Sequence, residues 1–194
     1  MTKMIRFILA VSAVLAFSVI GTSAAQASNG ISLSENTITA NGPLTLSNGL
    51  AICDVSLTLQ LLNNPIVKDP DPTRVQARVV QPSSIRNCSG GLAIDGAVLT
   101  PIDIVYDSFG GTLPNISSIR VDAPNAGFAL NTILGTCLFG GNLQNIDFLI
   151  SSGSVTTARF NNTGIPIVTG PCPSPGTIAG DLTVLAPVPT ATLV

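Results

Sequence analysis

The chain has 194 residues; only 9% are charged, 45% are apolar, and none is histidine or tryptophan. Eight basic and ten acidic residues give a formal net charge of −2 with no basic cluster, which argues against nucleic acid and anionic membrane surfaces as partners. Without histidine the usual general base near neutral pH is missing, along with Ser-His-Asp and Cys-His arrangements and the commonest transition-metal ligand.

Residues 1–27 read as a removable signal peptide. Lys3 and Arg6 form its positive start, an apolar run follows, and Ala25-Gln26-Ala27 is a small-x-small cleavage site. The apolar run is shorter than the roughly 20 residues a transmembrane helix needs, and no later stretch could span a bilayer as a helix. Cleavage after Ala27 leaves 167 residues, enough for one β domain over 28–185.

Beyond the signal the apolar pattern has period two, the signature of half-buried strands. A strand is expected over 32–39, followed by turn pairs at Asn41-Gly42 and Asn48-Gly49, as at Asn29-Gly30 before it. Val55-Ser56-Leu57-Thr58-Leu59-Gln60-Leu61 alternates cleanly, and Asp69-Pro70-Asp71-Pro72 reads as an exposed loop tip. Val75-Gln76-Ala77-Arg78-Val79 alternates again. Further strands are expected over 98–106, 116–121, 146–150, 155–160, 165–169 and 178–184, with bends at Gly90-Gly91, Gly110-Gly111 and Gly140-Gly141. Fourteen prolines leave little room for long helices. The Pro/Thr-rich tail, 186–194, is expected to fray or run extended. Short strands with frequent turns predict an all-β fold, an antiparallel β-sandwich.

Four cysteines in an exported chain imply two disulfides. Three pairings are open; Cys53–Cys88 with Cys137–Cys172 is the one expected, because both pairs are 35 residues apart. An offset of 84 residues superimposes one pair on the other, and 12 of the 56 positions of 41–96 are identical to those of 125–180. These are candidate repeats: two duplicated strand-loop-strand units, each stapled once, packed face to face or continuing one another's sheets.

No catalytic, cofactor or metal site is expected. Zinc would need tight cysteine pairs, and there are none. Asp69 and Asp71 offer oxygen ligands for calcium but match no calcium-loop pattern. Asp103 and Asp107 would share one strand face about 13 Å apart, too far for either glycosidase geometry. Nothing in the spacing of Asp95, Asp122, Asp147 and Asp181 brings them together. Ser89 lacks the first glycine of Gly-x-Ser-x-Gly and reads as a turn residue.

The ordered segments GPLTLSNGLAICDVSLTLQL, NCSGGLAIDG, GTCLFGGNLQ and PCPSPGTIAGDLTVL resemble the small secreted family named protein activator of alkane oxidation. The likeness spans roughly residues 31–185 and rests on cysteine order and Gly/Leu/Thr patterning. The chain departs from that pattern in lacking tryptophan and in its 68–72 insert. The resemblance implies an extracellular or periplasmic, non-catalytic accessory acting at hydrophobic substrates, the cell surface or biofilm matrix. Expected partners are a hydrophobic interface, a matrix component or the chain itself. The alternative is a structural or adhesive subunit assembling through sheet edges.

Overall fold

The computed structural model describes residues 30–67, 74–90, 93–172 and 174–194. The signal peptide, the Asp69–Pro72 loop tip and Gly91 lie outside the described residues. The described chain is entirely β, as its period-two pattern requires. Its strands are β1 (Gly30–Leu33), β2 (Thr37–Leu46), β3 (Ala51–Leu61), β4 (Ile66–Val67), β5 (Val75–Ser89), β6 (Ala93–Val98), β7 (Ile102–Thr112), β8 (Asn115–Thr132), β9 (Gly135–Ser151), β10 (Ser154–Ile165), β11 (Ile167–Thr169), β12 (Gly176–Val184) and β13 (Ala191–Leu193).

The antiparallel sandwich closes on itself. The pairings run β2–β3–β5–β6–β8–β9–β10–β12 and back to β2, so its two layers join at both edges into a barrel of eight strands. Between β5 and β8 the ring is completed by β6 at one end and by β7 at the other. The candidate repeats continue one another's sheets: β6 pairs with β8, and β12 pairs with β2.

Several strands are far longer than expected; β8 has 18 residues and β9 has 17. β5 and β8 stay continuous through Pro82 and Pro124 because each proline sits at a register shift, where a missing N–H does least harm. Opposite Pro82, the Thr58 N–H donates to Ser83 Oγ (3.0 Å) and Thr58 Oγ1 donates to the Pro82 carbonyl (2.7 Å). Beside Pro124, Asn125 Oδ1 accepts the Asp103 N–H at 2.7 Å. Both arrangements use a side chain to replace a lost ladder bond.

Two turn expectations divide. Asn48 (φ 58°) and Gly49 (φ 82°) form the β2–β3 turn, closed by the Leu50 N–H on the Ser47 carbonyl. Both central residues have positive φ, the geometry for which Asn-Gly is favoured. Asn41-Gly42 is no turn: both residues lie within β2, facing Ser56 and Val55. Gly42 serves close approach instead, since a Cβ there would lie 2.8 Å from the Asp181 carbonyl of β12. Gly140-Gly141 likewise lies inside β9, opposite Gly127 and Ala126.

Both cysteine pairs are bonded as expected, Cys53 to Cys88 and Cys137 to Cys172. They staple one end of the barrel, next to the β2–β3 and β8–β9 turns. Phe128 and Phe139, paired across β8 and β9, stack there with ring centroids 4.6 Å apart. A three-stranded sheet, β13–β1–β4, covers the opposite end with buried Ile31, Leu33 and Ile66. The tail therefore does not fray: β13 pairs with β1, and the Val155 N–H donates to the Pro189 carbonyl. Two disulfides agree with a protein outside the cytoplasm. Among the described residues no helix is long and apolar enough to cross a membrane.

Candidate functional site

Every carboxylate singled out within the described residues has a structural partner. Arg78 Nε donates to Asp103 at 2.7 Å, and Asn131 Nδ2 to Asp95 at 2.7 Å. Asp107 accepts the Ser108 hydroxyl, and Asp122 accepts the Asn145 N–H. On the outer face, register sets Arg120 opposite Asp147, Asp147 opposite Arg159, and Arg159 opposite Asp181. The result is a row of alternating charge across β8, β9, β10 and β12. Arg120 makes two bonds to Asp147 (2.8 and 3.2 Å), Asn161 adds a third at 2.9 Å, and Arg159 grips Asp181 with two at 2.9 Å.

The Arg120 hydrogen bond holds the Asp147 carboxyl below its ordinary range, with Asn161 assisting against the cost of partial burial. Arg159 lowers Asp181 in the same way. Burial, followed by the nearby Asp107 charge, raises the Tyr106 hydroxyl. No two of these acids converge on a cavity, and among the described residues no cluster could hold a metal ion. Ser89 sits at the end of β5 with its hydroxyl on the Ile52 carbonyl, as a local structural contact.

Two features remain once these groups are accounted for. The first is the stapled end. Its β8–β9 turn consists of Ile133 and Leu134, 68% and 63% exposed. Thr132 holds the turn by accepting the Leu134 N–H and donating to the Gly135 carbonyl. Neither turn residue has positive φ, so the turn geometry does not call for them, and turns ordinarily favour polar residues or glycine. Ile94 lies at a register shift of β6 beside Thr132, 59% exposed. Ile52 and Val168 are exposed on strand segments of the same end. The charged residues on these segments are Asp54, Arg86 and Asp95. Sequence reading missed this group, although an Ile-Leu pair where turn chemistry wants polar residues was a legible signal.

The second feature is the barrel interior. A cavity of about 80 Å³ is lined by apolar residues of the ring, among them Leu44, Val55, Ile85, Leu143 and Ile178. A smaller one of about 20 Å³ lies toward the covering sheet, lined by Leu33, Ile66, Gln76 and Tyr106 among others. Ile38, Leu59, Ile104, Val121 and Phe148 line both.

Comparison with known proteins yields no match to a family model, a curated protein or a solved structure.

Proposed function

We propose that this protein is a secreted or surface-held, non-catalytic accessory that works in contact with hydrophobic material, through the stapled end of its barrel. The observation that carries this reading is the exposed Ile133–Leu134 turn with Ile94 beside it. Two large aliphatic side chains at a turn lose favourable free energy in water and regain it against an apolar phase. The disulfides hold the strands beneath the turn, so contact need not unfold the barrel. The acidic balance of nearby charge suits an uncharged surface rather than an anionic one. The resemblance to the alkane-oxidation activators points the same way. The edge-assembly alternative gains little support from a ring that closes its main edges.

The test is interfacial tension at a long-chain alkane–water boundary, with a disulfide-bonded β protein of similar size and charge as control. The protein should adsorb faster and lower the tension further than the control. A double variant, Ile133→Ser with Leu134→Ser, should fall to the control's behaviour while keeping its unfolding midpoint. Equal adsorption by the variant and the parent would sink the assignment to this end.

A further inference from the structure

The interior carries an inference independent of the stapled end. An eight-stranded barrel is just wide enough to be filled by side chains or to keep room for one small ligand. This one keeps space in two adjoining places, with five apolar side chains lining both. The larger space is lined by aliphatic and aromatic side chains alone. The smaller one includes Gln76, which is only 2% exposed. Gln76 Nε2 donates to the Val67 carbonyl of the covering sheet at 3.3 Å, which assigns the nitrogen and the oxygen of the amide. Its Oε1 is buried and has no hydrogen-bond partner. An unmatched amide oxygen in an apolar interior is costly, and a guest offering a donor would relieve that cost.

We propose that the barrel interior binds a small uncharged aliphatic alcohol, with its chain in the larger cavity and its hydroxyl donating to Gln76 Oε1. The requirement for a donor follows from which atom is unmatched: Nε2 already serves the Val67 carbonyl, and a guest carrying only acceptors leaves Oε1 without a partner. Oε1 is covered in the resting structure. The terminal amide torsion is soft, however, and the bond to Val67 is long, so the oxygen can turn to meet the guest. Size follows from volume. An apolar cavity of about 150 Å³ takes up benzene. The two spaces here, about 80 and 20 Å³, therefore suit a guest of about four or five heavy atoms.

The probes are 1-butanol and methyl propyl ether, which share a heavy-atom count but differ in the donor. Each is titrated into the folded protein and followed by methyl NMR at Ile38, Ile104 and Val121. 1-Butanol should saturate, and its terminal methyl should show intermolecular NOEs to these residues. Its affinity should exceed that of the ether by roughly tenfold, the scale of one buried hydrogen bond. Gln76→Met, close in volume, should abolish that preference while retaining uptake. The wild-type comparison stands even where the variant fails to fold. Equal affinity for both probes, or NOEs confined to exposed residues such as Ile133, would overturn the proposal.

Discussion

Asp147 shows how a single residue draws its environment from register. It is 8% exposed, and the two strands flanking β9 place Arg120 and Arg159 directly opposite it. Because Arg120 and Asn161 favour the ionised form, the folded-state pKa lies below the ordinary 3.8. The unfolded chain therefore takes up this proton first as the solution is acidified. The associated stability is complete above the unfolded pKa and disappears as pH falls through the folded one. Denaturant unfolding from pH 7 to pH 2 should thus show Asp147→Asn less stable than the parent by about 1.5–2 kcal/mol at pH 7. The two curves should begin to converge as pH falls below about 4 and meet once the carboxyl is protonated in the folded state too. A constant gap across the range would mean that the loss is one of packing rather than charge. Asp181 contributes in the same direction but is half exposed and screened. None of this was legible from spacing, because Arg120, Asp147, Arg159 and Asp181 belong to four strands and meet only through their register.

The elements themselves were largely legible. Alternation marks an inward and an outward face wherever a strand is half buried, and Val55–Leu61 and Val75–Val79 both lie within strands. Lengths were less legible, since prolines and paired glycines signal turns unless tertiary structure supplies a bulge around them. Ser83 and Asn125 supply those bulges, and Gly42 makes room for β12. The cysteine pairs were readable because their spacing repeats. Cys137 is wholly buried beneath the exposed β8–β9 turn, and its bond to Cys172 closes a span of 35 residues. Chain entropy alone assigns such a bridge about 3.8 kcal/mol. Replacing Cys137 and Cys172 together by Ala should lower stability in urea by up to that amount. It should also speed exchange of the Thr136 and Leu138 amides more than those near β1. Exchange altered equally throughout would show that the bridge acts on the unfolded chain without local anchoring.

Closure is a property of the whole molecule, and it depends on pairings that sequence alone does not reveal. Leu46 of β2 meets Ile178 of β12, and Gly96 of β6 meets Leu130 of β8. These contacts turn two candidate repeats into one ring. They also determine how the molecule meets its neighbours. A sheet edge exposes unpaired N–H and carbonyl groups that can template another strand, and a closed ring removes most of them. The edges left among the described residues belong chiefly to short strands: β4, β11 and β13 have two, three and three residues. The outer part of β7 extends past its pairing with β5, but it is broken by register shifts at Tyr106/Ser108 and Gly110/Gly111 that spoil it as a template. The tail that might have been donated to another copy is already paired with β1. In water the protein should therefore sediment as a single monomeric species across a wide concentration range. Any association should arise at the Ile133–Leu134 end, and Ile133→Ser with Leu134→Ser should abolish it. Polymers that persist in that variant would mean that strands are exchanged between copies, and would return weight to a structural or adhesive role.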